Sequence, residues 1–254
     1  MLINRVIPVL LISNKRLVKT TRFKNHRYVG DPINTIKIFN EKEVDELIIL
    51  DIEASKQKRK PDFRYIEKLA GECFMPLTYG GGITNLSDAK KIFSLGVEKI
   101  SLNTVLFHDL NLVIELSNYF GSQAIVASID IKRSFLGKYV IYNSAINKTT
   151  NLDINLILEK LINNGIGEIL LNSVDRDGTQ LGMDINLIKK INLICNIPLI
   201  SVGGVGSLSD ISDAIKKGSD AVGVGSFFVF YGPHKAVLIT YPKYQDLKKL
   251  LESK

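Results

Sequence analysis

The sequence predicts a single (β/α)8 TIM barrel of the α/β class, and three observations lead to this prediction. Short apolar runs alternate with longer segments of helical periodicity along the chain. The chain has 254 residues, and barrels of about 250 residues commonly form one domain. A glycine-rich motif occurs twice, nearly half the chain apart. We therefore expect one domain over residues 1–254, made of two half-barrels at about 1–122 and 123–254.

Eight apolar runs rich in Val, Ile and Leu are the predicted strands. Their apolar residues are continuous rather than alternating, which is typical of strands that are buried on both faces of a parallel sheet. The runs span residues 6–11, 47–51, 75–79, 99–102, 124–130, 168–172, 198–202 and 221–224.

The segments between these runs are the predicted helices. Residues 86–95 and 208–217 place apolar side chains three and four positions apart, as an amphipathic helix does. Each segment ends near a glycine, Gly96 or Gly218, and glycine is common just after a helix. Strand followed by helix predicts β/α units.

The internal repeat favours a barrel of two similar halves. Residues 79–83 precede one predicted helix and residues 202–205 precede another, and both motifs contain consecutive glycines. The strand and polar end at 99–104 likewise have a counterpart at 221–226. A doubly wound open sheet is the alternative, and it does not need twofold repetition.

Charge and composition favour a phosphorylated small molecule over nucleic acid as the ligand. The formal charge is +7, but the basic residues are spread along the chain, with one short cluster at residues 56–60. No stretch of about 18 apolar residues and no targeting segment is apparent. We expect a cytoplasmic protein that binds neither nucleic acid nor a membrane.

The cysteines and histidines predict neither a metal site nor a cofactor. Cys73 and Cys195 show no CxxC or Cys/His spacing, and we interpret them as buried free thiols in apolar helical contexts. The three histidines lack the spacing of metal ligands. They are His26, His108 and His234.

Polar residues that follow the predicted strands are the candidates for the functional site, because the loops after the strand ends build the active site of a barrel. The consecutive glycines allow backbone N–H groups to approach an anion, which predicts two phosphate sites; tight turns are the alternative. The candidates are Asp51, Thr78, Asn103, Thr104, Asp130, Asn172, Asp177, Gly178, Ser201 and Ser226.

Asp130 is the best candidate for a general acid or base. It directly follows an apolar run, so a barrel would place its carboxyl group at the mouth. The alternative is a structural role, as a helix cap or as the ion-pair partner of Lys132 or Arg133.

Together these residues resemble HisF, the cyclase subunit of imidazole glycerol phosphate synthase, over essentially the whole chain. The number of ordered motifs carries the resemblance, rather than the fold alone. The matching stretches are 5–8, 18–19, 30–32, 45–47, 50–52, 79–83, 97–100, 103–104, 120–123, 128–130, 167–170 and 175–179.

The resemblance implies a barrel whose base docks a HisH-type glutaminase and whose interior passes ammonia to the mouth. A charged gate would lie at the base, where four charges at the starts of apolar strands are tolerated if they pair. The gate residues are Arg5, Glu46, Lys99 and Glu168. The substrate-binding and phosphate-binding residues are Lys19, Asp51, Gly81, Gly82, Asn103, Thr104, Asp177, Gly178, Gly203, Gly204, Gly225 and Ser226.

In the family reaction, ammonia attacks a bis-phosphorylated ribulosyl formimino carboxamide ribotide. The products are imidazole glycerol phosphate and aminoimidazole carboxamide ribotide. The family uses two catalytic Asp residues at equivalent strand ends; the second falls at Asp130, but the first falls at Leu11. Loss of a positioned acid or base costs roughly 10²- to 10⁴-fold in rate.

Three functional hypotheses follow. The first is a HisF-type cyclase of histidine biosynthesis. The second is an ammonia-channelling subunit that serves a separate sugar amidotransferase, because Leu11 and residues 28–34, 38–44, 70–76 and 234–239 resemble HisF paralogues of surface-polysaccharide (O-antigen) gene clusters. The third is a HisA-type sugar isomerase, which would need no glutaminase.

Overall fold

The computed structural model describes residues 4–252. The strands in chain order are β1 (Arg5–Ser13), β2 (Arg16–Thr21), β3 (Lys24–Gly30), β4 (Leu47–Asp51), β5 (Leu77–Gly80), β6 (Lys99–Leu102), β7 (Ile125–Arg133), β8 (Tyr139–Asn143), β9 (Lys148–Thr149), β10 (Glu168–Ser173), β11 (Leu199–Val202), β12 (Ala221–Val224), β13 (Phe230–Tyr231) and β14 (Ala236–Val237). The helices are α1 (Pro32–Glu41), α2 (Phe63–Gly71), α3 (Leu86–Ser94), α4 (Asn111–Phe120), α5 (Ile154–Asn163), α6 (Ile185–Asn192), α7 (Leu208–Lys216) and α8 (Tyr244–Glu252).

Eight parallel strands close into a barrel. The neighbours around the ring are β1, β4, β5, β6, β7, β10, β11 and β12. The last pairing, between β12 and β1, places Val6 beside Val222 and closes the ring. The predicted TIM barrel is therefore confirmed, and the open-sheet alternative is wrong because an open sheet has two unpaired edges.

Two strands extend beyond the barrel and differ from the prediction in this respect. β1 continues to Ser13 and pairs antiparallel with β2, and β7 continues to Arg133 and pairs antiparallel with β8. Neither hairpin was expected from the sequence. They follow the first and the fifth strand of the ring, and therefore occupy equivalent places in the two predicted halves.

The helix starts are fixed by side-chain caps. Asp31 caps α1 by accepting from Asn34 N, Asn85 caps α3, and Ser207 caps α7 in a capping box. α3 and α7 match the predicted segments and end one residue earlier than expected. Each follows a glycine motif at a strand end.

The apolar residues form two layers that separate the inside of the barrel from its outside. The outer layer packs the helices against the strands around large side chains such as Phe39 and Phe228. The inner cluster fills the barrel, and the partly buried Leu11 and Leu50 pack against it on the mouth side. The inner cluster consists of Ile7, Val9, Ile48, Val126, Leu170, Ile200, Val202 and Ala221.

The free cysteines differ in detail from their prediction. Cys73 and Cys195 lie in the turns that follow α2 and α6, not within helices, and they are half-buried. Burial raises the pKa of each thiol to about 11. Within residues 4–252, no helix has the length and apolar character that crossing a membrane requires.

Candidate active site at the mouth and charged ring at the base

Four charged side chains meet at the base of the barrel, where the strands begin. Arg5 donates to both Glu46 and Glu168. Lys99 Nζ lies 3.1 Å from Glu46 Oε1 and 3.0 Å from Glu168 Oε2. Each carboxylate therefore contacts both cations, and the predicted gate residues form a single closed ring.

Thr78 belongs to this ring rather than to the mouth. Its Oγ1 donates to Glu46 Oε1 at 3.1 Å, so its expected place among the mouth residues is wrong. β5 begins at Leu77, two residues later than predicted, which puts Thr78 near the start of the strand instead of near its end. The ring thus has a neutral donor as well as two cations.

A cavity of about 560 Å³ opens at the opposite end, where the strands end. Loops from both halves of the barrel line it. It collects the predicted mouth residues Lys19, Asp51, Gly81, Gly82, Asn103, Thr104, Asp130, Asp177, Gly178, Gly203, Gly204, Gly225 and Ser226. Since these residues come from many parts of the chain, the cavity is a composite site.

The two glycine motifs adopt backbone conformations that favour glycine. Gly81 has φ +130°, and a Cβ there would lie 2.6 Å from the carbonyl oxygen of Asp51. Gly204 has φ +103°, and a Cβ there would lie 2.2 Å from the carbonyl oxygen of Gly182. Each motif therefore packs directly against the backbone that follows the preceding strand of the ring. Phosphate binding at these motifs stays a prediction.

Three hydroxyl residues predicted near the glycine motifs differ from one another in their surroundings. Thr104 and Ser226 begin short 3-10 helices at the ends of β6 and β12. Ser201, which was also a candidate, hydrogen-bonds Ser219 at 2.6 Å and is not among the cavity-lining residues. Its expected place at the mouth is therefore wrong.

Asp51 and Asp177 both hold neighbouring loops. Asp51 accepts two bonds from Arg59 Nη2, at 2.6 and 2.7 Å. Asp177 accepts from Thr20 Oγ1 at 2.7 Å and from the backbone of Phe23 at 3.0 Å, and burial raises its pKa. Asp177 thus docks the β2–β3 hairpin beside the cavity.

Asp130 lies within β7, and its buried carboxylate lines the cavity. Asn103 Nδ2 donates to Asp130 Oδ2 at 3.2 Å, and the side chains of Ser144 and Asn172 lie near enough to this carboxylate to lower its pKa. Burial has the larger effect and raises the pKa of Asp130 to about 7. Such a group can take up or release a proton near neutral pH.

The structural alternatives for Asp130 are wrong. It sits in a strand and so caps no helix. Arg133 pairs with Asp184 at 3.1 Å, and Lys132 lies over the ring of Tyr142. The neighbours that Asp130 does bond are uncharged.

Leu11 lies on the opposite wall from Asp130. β1 and β7 are four strands apart in the ring of eight, and both residues line the cavity. Leu11 packs on the inner apolar cluster next to Leu50. At these two facing positions, one wall of the mouth therefore carries a carboxyl group and the other an apolar side chain.

Lys19 is a buried amine at the edge of the same mouth. Its Nζ donates to the carbonyl oxygen of Val9, and a Cβ at Gly225 would lie 3.3 Å from it. Burial lowers the pKa of Lys19 to about 8, while Asp177 raises it. Gly225 thus leaves the space that the amine occupies.

Ser144 and Arg59 were not expected at the mouth from the sequence. Ser144 comes from the hairpin that was not predicted, although the apolar and aromatic residues of β8 indicated a strand there. Asn172 was a candidate by position, but its link to Asp130 depends on the pairing of β10 with β7. Arg59 was seen only as part of a basic cluster.

Residues 5–234 match the family model described as "Histidine biosynthesis protein". The chain is 49% identical over 249 residues, 97% of each chain, to a Pseudomonas aeruginosa protein provisionally named imidazole glycerol phosphate synthase subunit hisF2. It is 46% identical over 252 residues to a Leptospira interrogans protein provisionally named subunit HisF, covering 98% of this chain and 99% of the relative. It is 44% identical over 255 residues to a Vibrio vulnificus protein provisionally named subunit hisF3, covering 99% and 98%.

Proposed function

Because the chain belongs to the HisF-like family of imidazole glycerol phosphate synthase subunits, we propose that it channels ammonia from a HisH-type glutaminase to its mouth. There the ammonia serves the amidination of an acetylated sugar by a separate amidotransferase in surface-polysaccharide biosynthesis. The observation that carries this proposal is Leu11, an apolar side chain on the mouth wall that faces Asp130.

The base supports the ammonia route. Arg5, Glu46, Lys99 and Glu168 close the lower end of the barrel, and the apolar cluster lies above them. An apolar passage favours neutral ammonia over ammonium, because an unpaired ion loses its hydration there at a large cost in free energy. A sugar isomerase of the HisA type receives no ammonia, so the ring does not favour that third hypothesis.

The mouth supports delivery rather than cyclisation. Cyclisation in the family employs an acid or base from each side of the mouth, whereas this chain offers Asp130 on one side and Leu11 on the other. A leucine side chain has no exchangeable proton. We expect cyclase turnover to be reduced by roughly 10²- to 10⁴-fold on this account.

A second candidate function is cyclisation of the bis-phosphorylated substrate in histidine biosynthesis. It is favoured by the two glycine motifs, at Gly81–Gly82 and Gly203–Gly204, on one cavity. It is also favoured by Asp130, because burial raises the pKa of its carboxyl group to about 7.

The first test is cyclase turnover of the purified protein with the phosphoribulosyl substrate and ammonium chloride. We expect low turnover that Leu11→Asp raises and Leu11→Asn does not, because the two substitutions have similar shapes and only aspartate supplies a carboxyl group. Wild-type turnover of 1 s⁻¹ or more, in the ordinary range for enzymes, with no gain from Leu11→Asp, would overturn the proposal and favour the second candidate.

The second test follows the nitrogen. The chain is combined with its glutaminase, a sugar amidotransferase and glutamine labelled with ¹⁵N in the amide. We expect the label in the amidino group of the sugar when all three proteins are present. Equal labelling without the barrel subunit would contradict the channelling role.

A further inference from the structure

The turn that joins β7 to β8 carries two large apolar side chains in contact with solvent. Phe135 is fully exposed and Leu136 is 79% exposed, and Phe135 is the most exposed large hydrophobic residue in the part of the chain that the structure describes. Pairing of β7 with β10 ends at Ile131, so the hairpin continues past the ring of the barrel on the mouth side. We call residues 134–138 the hairpin tip.

The turn does not need apolar residues to form. Gly137 supplies a positive φ of +76°, and Ser134 Oγ accepts from the backbone N–H of Lys138 at 3.1 Å. Ser134 N donates to the carbonyl oxygen of Lys138 at 2.8 Å and closes the turn. Glycine and serine are residues that turns favour. Phe135 and Leu136 therefore lie at the two positions of the tip that the turn leaves open, and they add little packing within this chain.

The hairpin is fixed at its base, so the tip is presented in one position. Tyr139 OH donates to Asp184 Oδ1 at 2.8 Å, and Arg133 pairs with Asp184 at 3.1 Å. Arg133 N donates to Asp175 Oδ2 at 2.7 Å. These contacts join the hairpin to the start of α6 and to the loop after β10. A surface that is ordered before binding loses less conformational entropy when a partner docks.

β8 connects the tip to a second exposed apolar residue beside the cavity. Ile146 follows β8 and is 59% exposed, and its neighbours Ala145 and Asn147 line the cavity. The exposed apolar residues of this segment are therefore next to the place where a molecule enters or leaves the barrel. Adjacent large apolar side chains on an ordered surface commonly mark a site where another protein binds.

The charge of the segment indicates the kind of partner. Residues 131–152 include no acidic residue, and their basic residues are Lys132, Arg133, Lys138 and Lys148. Lys138 and Lys148 are exposed. A second copy of this chain, whose formal charge is +7, would bring like charges together. The complementary surface is an apolar pocket with carboxylates around it, on a different protein.

We propose that the hairpin tip is the docking site for the amidotransferase that accepts the ammonia, with Phe135 and Leu136 in its apolar pocket. This inference rests on the proposed function, because it needs an acceptor enzyme at the mouth. Direct docking has a chemical reason. Ammonia released into neutral water is mostly protonated, and ammonium has no lone pair with which to attack an acceptor.

The site is tested by calorimetric titration of the full-length chain with the purified amidotransferase. We expect the double variant Phe135→Ser with Leu136→Ser to bind at least tenfold more weakly than wild type, with an unchanged Tm. The matched control is Phe74→Ser with Leu193→Ser, a phenylalanine and a leucine that are 85% and 87% exposed in turns at the base. The control should bind the amidotransferase like wild type. Equal affinity of the tip variant and wild type, or no binding by wild type, would overturn the site.

The charge of the partner is tested by the rate of association at low and at high salt. We expect Lys138→Glu to slow association several-fold at low salt and less at high salt, because salt screens the attraction between exposed charges. Lys160→Glu changes the net charge equally but lies on the exposed side of α5, and it should have a smaller effect. Equal slowing by both variants would show that the net charge acts and not the hairpin.

Two other occupants are distinguished by their own measurements. Sedimentation of the chain alone would reveal a dimer, and flotation with vesicles of phosphatidylglycerol and phosphatidylcholine would reveal membrane binding. We expect neither. A dimer, or vesicle binding, that the tip variant abolishes would assign the tip to that occupant and overturn the proposal.

The docking site and the proposed function fail in different ways. With the glutaminase present, we expect the tip variant to transfer at least tenfold less ¹⁵N from glutamine to the sugar, whereas amidination with excess ammonium chloride stays unchanged. Transfer by wild type that the tip variant retains defeats only the docking site. Tip-dependent binding without any transfer defeats only the function.

Discussion

The two ends of the barrel treat buried charge in opposite ways. At the base, Arg5 and Lys99 share Glu46 and Glu168, so two cations face two anions. At the mouth, Asp130 is buried among uncharged hydrogen-bond partners. The barrel thus has a compensated ring at its base and, on β7 at its mouth, a carboxylate without a counterion in contact.

The charges at the base therefore have a structural role, whereas the carboxylate at the mouth can take part in chemistry. A ring of paired charges is rigid and keeps its ionisation, because each charge stabilises its neighbours. A buried carboxylate that is not paired has a raised pKa and can exchange a proton. We therefore expect substitutions at the base to reduce stability, and substitutions at the mouth to increase it while they reduce function.

The largest effect is expected at the base, for Glu168→Gln. This change leaves Arg5 and Lys99 with Glu46 as the remaining carboxylate of the ring, and an uncompensated buried charge costs roughly 3–5 kcal/mol. The free energy of unfolding in urea at pH 7 measures it. Glu159→Gln, on the exposed side of α5, is the matched control and should change stability by less than about 0.5 kcal/mol. A small loss for Glu168→Gln would show that the ring is not a compensated unit.

At the mouth, we expect Asp130→Asn to raise the stability of the protein, whereas Glu168→Gln at the base lowers it. Burial raises the folded-state pKa of Asp130 to about 7 from 3.8. The folded protein therefore binds more protons than the unfolded chain between about pH 4 and pH 7, and its stability falls as pH rises through that window. Above pH 7 the cost is complete, with an upper limit of about 4 kcal/mol.

Removal of the charge should recover part of this cost. We expect Asp130→Asn to be about 1–3 kcal/mol more stable than wild type at pH 8, since the new amide also meets the neighbouring N–H donors unfavourably. The gain should disappear near pH 4. Urea unfolding of both proteins at the two pH values gives the comparison, in which other titrating groups largely cancel. An equal difference at pH 4 and pH 8 would exclude the ionisation of Asp130 as the cause.

The base and the barrel strands could be predicted largely from the sequence. β4, β6 and β12 have the predicted bounds at both ends, because continuous apolar runs are buried on both faces whatever their neighbours. The four residues of the ring were identified through the resemblance to HisF, and the cost of isolated charges at the starts of apolar runs supported that assignment. At the base, the strands depended on local pattern and the ring on the resemblance.

The surroundings of Asp130 could not be predicted in the same way. Ser144 reaches the carboxylate from a hairpin whose strand exists because it pairs with β7, and β3 is mostly exposed and pairs with β2. Such strands depend on their partners more than on their own polarity. Thr78 shows a further reason, because a shift of two residues in the start of a strand moved its side chain from the expected mouth to the base.

Lys19→Met tests a buried cation at the mouth. Burial lowers the folded-state pKa of Lys19 to about 8 from 10.5. Below pH 8 the amine is protonated in both the folded and the unfolded protein, and burial of its charge opposes folding. Between pH 8 and 10.5 the unfolded chain binds more protons than the folded protein. The stability of the wild type therefore rises with pH in this range relative to that of the variant. We expect the variant to be about 1–2 kcal/mol more stable at pH 7, after loss of the bond to Val9. Lys160→Met on an exposed helix face is the control, and a Lys19→Met gain that persists at pH 10.5 would point to packing instead.

The smallest effect on stability is expected for Ser207→Ala. This change tests whether a buried polar group destabilises the protein because it lies at the mouth or because it lacks a hydrogen-bond partner. Ser207 and Asp210 form the capping box of α7, with Asp210 Oδ2 accepting from the backbone of Gly206 and Ser207 at 2.9 and 2.8 Å. These groups lie at the mouth end of the barrel but are paired, so their loss should destabilise the protein by about 1 kcal/mol. Asn85→Ala at the start of α3, the equivalent cap in the first half, should cost a similar amount. The free energy of unfolding in urea measures both changes. If either substitution stabilised the protein, polar groups at the mouth would be unfavourable even when they are hydrogen-bonded. That result would contradict the distinction between paired and unpaired groups.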